Sequence, residues 1–118
     1  MEKLVTPHLS QTMDAGALVF VSGQLALDSA GQIQGEDVAT QTRKTLDNLK
    51  SRLAACDLTL ADIVKTTVFL TRADDFVAFN NAYAEVFGDH RPTRSTVVVA
   101  LALPTALVEI EAIACRRA

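Results

Sequence analysis

The chain has 118 residues, of which 49% are hydrophobic and 21% charged, and its net charge is −3 at pH 7. This length fits one domain spanning residues 1–118 with a core of its own, and the composition excludes an intrinsically disordered chain. An acidic chain without a basic run also lacks the electrostatic footprint of a nucleic-acid-binding protein, so no nucleic acid is expected as a partner.

The first predicted elements form a β-hairpin. Residues 17–21 are a short apolar run that ends at Ser-Gly-Gln and predict a buried strand. A second strand is predicted at residues 24–27, followed by a turn over residues 28–31 in which a glycine permits a positive φ. An additional short strand at residues 4–6 is an alternative.

Two helices and three strands follow. Over residues 38–56, apolar side chains recur at helical spacing with charged side chains between them, which predicts an amphipathic helix. Residues 63–71 are rich in β-branched side chains and predict a strand. Aromatic side chains at helical spacing predict a second helix, with Asp74 and Asp75 as N-terminal caps and Gly88 at its end. The last two strands are predicted at residues 94–100 and 107–115.

This order, β-β-α-β-α-β-β, predicts an α+β domain with a mixed sheet of about six strands and both helices on one face. Residues 63–64 and 97–99 do not alternate between apolar and polar, as a strand with one hydrated face should. The mean hydropathy of +0.22 is also high for so small a domain. Both observations predict that another chain covers the second face, within a closed symmetric oligomer.

Targeting and metal-binding signals are absent from the sequence. The N-terminal residues contain no apolar signal region, and the longest apolar run, residues 97–103, is far shorter than the roughly 20 residues of a membrane span. Cys56 and Cys115 lie far apart without CxxC spacing or a neighbouring histidine. We therefore expect a cytoplasmic protein with no membrane association and no metal.

Charged side chains within apolar strands are the strongest candidates for chemistry. Arg94 opens the strand R-S-T-V-V-V, and Glu109 and Glu111 interrupt the last strand on one face. Because buried charges are costly unless they are paired, one interpretation is an Arg–Glu ion pair between adjacent strands. The other makes Arg94 a receptor for an anion, with Glu109 as a nearby acid or base.

Other candidates carry weaker signals. Ser22 and Gly23 end a buried strand, where a glycine lets a ligand approach the backbone. Asn80 lies on the aromatic stripe of the second helix, either as a satisfied core amide or as a donor facing a pocket. His8 and His90 are interpreted as loop residues. No phosphate-binding loop, dinucleotide fingerprint, zinc-protease motif or serine-hydrolase elbow is present.

Six segments of the chain resemble the RidA family, also called the YjgF or endoribonuclease L-PSP-like family, in the family's order and spacing. Together they cover nearly the whole chain: V-F-V-S-G-Q at 19–24, T-L-D-N-L-K at 45–50, D-I-V-K-T-T-V-F-L at 62–70, D-F-V-A-F-N-N-A-Y at 75–83, R-P-T-R-S at 91–95 and V-E-I-E-A-I-A at 108–114. The resemblance implies a chorismate-mutase-like α+β fold that forms homotrimers with clefts between neighbouring subunits.

The resemblance also implies an activity. The family archetype hydrolyses reactive 2-imino acids and enamines, such as 2-iminobutanoate and 2-iminopropanoate, to 2-keto acids and ammonia, and it uses no cofactor. By its place in the motifs, Arg94 would hold the substrate carboxylate and Glu109 would position or activate water. Ser22, Gly23 and Asn80 would line the cleft.

At two cleft positions the chain departs from the family pattern. Leu9 stands where archetypal members have a pocket tyrosine, and Thr96 stands where many have a cysteine. These changes remove a hydroxyl and a thiol from the substrate-binding residues but keep Arg94 and Glu109. We therefore expect imine chemistry to be retained with an altered substrate preference.

Two other functions remain open. Ribonuclease or translation-inhibitor activity is also attributed to family members, but the negative net charge and the absence of a basic patch with aromatic residues weigh against it. The other is a non-catalytic trimer that binds small carboxylate metabolites or partner proteins, and the changes at Leu9 and Thr96 keep this function open.

Overall fold

The computed structural model describes residues 7–117. Two helices and five strands lie in this range, which confirms the α+β class and gives five strands where about six were predicted. The sheet has the order β1-β2-β5-β3-β4; β3 and β4 are parallel and the other neighbours antiparallel, so the sheet is mixed. The elements in chain order are β1 (Thr12–Ala15), β2 (Leu18–Gln24), α1 (Val38–Ala54), β3 (Ile63–Leu70), α2 (Phe76–Phe87), β4 (Thr93–Val98) and β5 (Val108–Cys115).

The first hairpin lies earlier in the chain than predicted. β1 and β2 pair around Gly16, whose φ of 69° allows the tight turn. The predicted strand at residues 24–27 is wrong, because beyond the end of β2 only a single bridge joins Leu27 to Ile33. The alternative strand at residues 4–6 lies outside the described residues.

Both helices begin and end with identifiable backbone signals. The side chain of Asp37 caps α1 by accepting a hydrogen bond from the Thr40 N–H at 2.7 Å. Beyond the helix, Asp57 adopts a φ of 60°, the left-handed conformation that Asp tolerates better than most residues. α2 ends at Gly88, as predicted, and Asp75 occupies the N-cap position, but the Asp75 side chain makes no capping hydrogen bond.

The core lies between the two helices and one face of the sheet. Along β5, the side chains of Val108, Ile110, Ala112 and Ala114 are buried on this face, whereas Glu109 lies on the other. No helix of residues 7–117 is long and apolar enough to span a membrane.

The second face of the sheet is open to solvent in the single chain. Strand pairing places Phe20 opposite Ile113 on this face, and Phe20 is 42% exposed. The large apolar side chains exposed here come from three strands: Met13, Leu18, Phe20 and Val97. The prediction that another chain covers this face stays a prediction.

Candidate active site

Arg94 lies on the edge strand β4 and points to the helix-covered face of the sheet. The register of β4 against β3 places Arg94 opposite Thr66, which is buried under α2. Its guanidinium carbon lies 5.0 Å from the ring centroid of Tyr83, 5.3 Å from that of Phe79 and 6.0 Å from that of Phe76. These cation–π contacts hold a half-buried positive charge against an aromatic wall.

Asn80 on α2 orients this guanidinium. Its Oδ1 accepts a hydrogen bond from Arg94 Nη2 at 2.8 Å, so the amide lies on the aromatic stripe and faces the arginine as an acceptor. Neither of the two salt bridges within residues 7–117 includes Arg94. Other guanidinium N–H groups are therefore left to bind an anion in a bidentate manner.

A cavity of about 340 Å³ opens beside Arg94. Tyr83 also lines it, and the Tyr83 hydroxyl shares a hydrogen bond of 2.8 Å with Thr66 Oγ1. Burial raises the pKa of Tyr83, against the smaller opposing effects of Thr66 and Arg94, so its phenol stays neutral. The cavity wall combines aromatic rings, two arginines and one amide: Tyr83, Phe87, His90, Arg91, Arg94 and Asn80.

Glu109 lies on β5 and points to the open face of the sheet. It is opposite Phe69 of β3, and Glu111 follows it on the same face. Partial burial raises the pKa of the Glu109 carboxyl, and the negative charge of Glu111 raises it further. A carboxyl with a raised pKa can exchange protons closer to neutral pH than an ordinary one.

Gly23 provides the space that the Glu109 side chain occupies. The register of β2 against β5 shifts between Val21 and Gln24, which marks a bulge at Ser22 and Gly23. A Cβ atom at Gly23 would approach Cδ of Glu109 to 2.9 Å. A side chain at this position would therefore displace the carboxylate.

The remaining predicted residues differ in their availability to a ligand. Ser22 Oγ donates to the Ser10 carbonyl at 2.5 Å, so its hydroxyl is engaged with the backbone. Leu9 is 57% exposed and lines a larger cavity of about 650 Å³. Thr96 shares the helix-covered face with Arg94, and its buried Oγ1 has no hydrogen-bond partner within the described residues.

A single chain thus divides the predicted site into two halves. Arg94 and Asn80 lie on the helix-covered face at one edge of the sheet, whereas Glu109 and Gly23 lie together on the other side of β3. Since β4 and β5 are not neighbours, the predicted ion pair between Arg94 and a glutamate of an adjacent strand is wrong. The structure does not bring Arg94 and Glu109 together within one chain.

Two cationic residues that line the larger cavity were not among the site residues predicted from the sequence. Lys44 and Arg52 line it with Asn48, and the three recur at every fourth residue of α1. That spacing was a readable signal of one helix face, but charged residues on an amphipathic helix ordinarily face solvent. Within residues 7–117, no group of three His, Cys, Asp or Glu side chains could hold a metal ion.

Fold and geometry together define a single-domain α+β protein with helices on one face of a mixed sheet, and they divide the candidate polar residues between the two faces. A family model described as endoribonuclease L-PSP matches residues 3–116. The chain belongs to this family, which is also known as the RidA or YjgF family.

Similar proteins support this assignment over nearly the whole chain. The chain is 42% identical over 110 residues to the 2-iminobutanoate/2-iminopropanoate deaminase of Salmonella typhimurium, covering 91% of this chain and 86% of that protein. It is 42% identical over 113 residues to a RutC family protein of Pyrococcus horikoshii, covering 95% and 89%. The crystal structure of Escherichia coli TdcF with bound serine superposes with a TM-score of 0.86 at 40% identity, covering 97% of this chain and 91% of that one.

Proposed function

We propose that the chain is a hydrolase that converts reactive 2-imino acids and their enamine tautomers, such as 2-iminobutanoate and 2-iminopropanoate, to 2-keto acids and ammonia. The observation that carries the proposal is the guanidinium of Arg94, held over aromatic rings and by Asn80 beside a cavity. A fixed guanidinium suits the planar carboxylate of such a substrate. The named Salmonella deaminase and the serine bound to TdcF point to the same class of small amino-acid-derived ligand.

The proposed reaction needs orientation and a positioned water more than a strong nucleophile, because the C=N carbon of an imino acid is already electrophilic. Glu109 in its ionised form takes a proton from water as the water oxygen bonds to this carbon. The protonated Glu109 then returns the proton to nitrogen, which gives a carbinolamine. Glu109 next takes the hydroxyl proton of the carbinolamine and passes it to the same nitrogen, so the C–N bond breaks, ammonia leaves and the C=O bond forms. One imine and one water yield one keto acid and one ammonia, and Glu109 ends in its starting state.

The two halves of the site are proposed to meet between subunits of a homotrimer. Arg94 lies at the β4 edge of the sheet, and Glu109 lies on the open face that also exposes Phe20. In a closed ring, the open face of one chain packs against the next, so a cleft can take Arg94 from one subunit and Glu109 from its neighbour. The ligand of this cleft is a small 2-imino or 2-keto carboxylate.

The test adds the protein to a serine or threonine dehydratase that releases imines and follows the rate of keto-acid formation. Wild-type protein should accelerate the release, and Arg94→Ala and Glu109→Gln should each reduce the acceleration by about 100-fold or more. Arg43→Ala is the matched control, since Arg43 pairs with Glu85 on the helical surface. An Arg94→Ala variant as active as wild type contradicts the proposal. Cleavage of RNA by highly purified protein that is lost in Arg94→Ala would favour the ribonuclease alternative instead.

A further inference from the structure

The cavity of about 650 Å³ lies between α1 and the loop that follows β2, and its cationic residues, Lys44 and Arg52, take no part in the proposed reaction. It is much larger than an imino acid with a three- or four-carbon chain requires. Polar and cationic side chains line it together with an apolar wall: Leu9, Gln11, Gly23, Lys44, Asn48 and Arg52.

Among its described walls the cavity has two cationic side chains and one acidic side chain, so its net charge is positive. Neither Lys44 nor Arg52 takes part in the salt bridges within residues 7–117. Asp28 is the single acidic residue among the cavity's described walls, and its Oδ1 accepts two backbone N–H groups of its own turn at 2.9 and 3.0 Å. Two cations therefore face one cavity in a chain whose net charge is −3, an arrangement that attracts a small anion.

The cavity also reaches the residue that faces Glu109. Arg52 Nε donates to Gln24 Oε1 at 3.3 Å, which places the guanidinium against the residue next to Gly23. Gly23 belongs to the cavity wall, and its missing side chain is what accommodates the Glu109 carboxylate. Gly23 is therefore shared by the wall of this cavity and the surroundings of the Glu109 carboxylate.

We propose that this cavity is a distal subsite for a second anionic group and that the preferred substrates are 2-imino dicarboxylic acids. In this arrangement, which rests on the proposed function, Arg94 binds the carboxylate next to the imine and Glu109 faces the imine carbon. The side-chain carboxylate lies between Lys44 and Arg52, where charge-assisted hydrogen bonds from both cations hold it. Imines derived from acidic amino acids are then better substrates than alkyl imines of similar length.

Binding of stable keto-acid products tests the subsite by titration calorimetry, with 2-oxoglutarate as the dicarboxylate and 2-oxobutanoate as the monocarboxylate. The double variant Lys44→Gln/Arg52→Gln should weaken 2-oxoglutarate binding about tenfold more than it weakens 2-oxobutanoate binding. The matched control is Lys50→Gln/Arg117→Gln, which removes the same charge at two exposed positions outside the cavity. It should leave the ratio of the two affinities unchanged, and thermal melts establish that each variant folds.

A kinetic experiment compares the hydrolysis rates of a dicarboxylic and a monocarboxylic imine. An amino-acid oxidase generates the imines of glutamate and of 2-aminobutanoate, and semicarbazide traps whatever imine the protein has not hydrolysed. A wild-type preference for the dicarboxylic imine that is lost in Lys44→Gln/Arg52→Gln supports the subsite. Hydrolysis of both imines without a preference overturns the subsite and leaves the proposed function standing.

The role of Arg94 separates the two proposals. Arg94→Ala should weaken the binding of both keto acids, because both carry the carboxylate that Arg94 binds. Affinity for 2-oxoglutarate that depends on Lys44 and Arg52 but not on Arg94 overturns the extended subsite and makes the cavity an independent anion site. Affinity that depends on all three residues without hydrolysis of any imine refutes the proposed reaction and supports the subsite.

Discussion

Glu109 combines two surroundings that both favour its protonated form. Burial on β5 and the neighbouring charge of Glu111 each raise its pKa. The folded chain therefore binds this proton more tightly than the unfolded chain does. The resulting stabilisation is present in full below the unfolded-state pKa and is lost as pH rises through the folded-state pKa. Near neutral pH the ionised carboxylate costs stability, as is common for groups that serve a reaction.

The charge of Glu111 should influence the pH dependence of kcat/KM through the pKa of Glu109. Glu111→Gln removes a nearby negative charge, so the pKa of Glu109 should fall and the acidic limb of kcat/KM should move to lower pH. The measurement is kcat/KM for imine hydrolysis across the acidic and neutral range. Glu36→Gln, at an exposed position before α1, is the control and should leave the profile in place. An acidic limb that does not move in Glu111→Gln would mean that another group controls it.

At the scale of elements, residue spacing predicts the helices and strand faces that depend on neighbouring residues in the chain. The helical spacings that predict α1 and α2 come from faces that each helix buries, and period 2 correctly places Glu109 and Glu111 together. β1 has no such pattern, because four residues of mixed polarity become a strand only when Gly16 turns them onto β2. Likewise, Arg94 takes the helix-covered face through the parallel register of β4 with β3, a long-range pairing that no local pattern encodes.

Gln41 is a buried contact of α1 that the same patterns miss, since glutamine ordinarily marks an exposed helix face. The residue is 1% exposed; its Nε2 donates to the carbonyls of Gly35 and Thr105 at 3.0 and 3.1 Å, and its Oε1 accepts the Leu107 N–H at 2.8 Å. Gln41→Leu leaves these backbone groups unpaired and should lower the free energy of unfolding by about 2–3 kcal/mol, measured by urea denaturation. Gln34→Leu, at an exposed position, should change it by less than about 0.5 kcal/mol. Equal losses in both variants would contradict this role.

For the whole molecule, the decisive feature is a sheet with helices on one face only. The open face that carries Glu109 also exposes Phe20 and other apolar side chains, and the aromatic wall that holds Arg94 lies at the far edge on the opposite face. Covering the open face with a second copy removes apolar surface from water and completes the proposed site in one step. Assembly and catalysis are then inseparable, so the site should exist only in the oligomer.

Mixing two inactive variants tests whether each site is shared between chains. Arg94→Ala and Glu109→Gln each destroy one half of the site, so a ring assembled from both at random should have about one quarter of its sites intact. Co-refolding equal amounts should therefore restore about one quarter of wild-type kcat, whereas each variant refolded alone stays inactive. Placing Phe20→Glu in both partners puts a charge on the open face and should abolish this recovery. Val77→Glu, at a position of α2 that is 69% exposed, should leave it intact. Mixed oligomers that form by native mass spectrometry and yet show no recovery would place both residues of each site in one chain, against the split geometry.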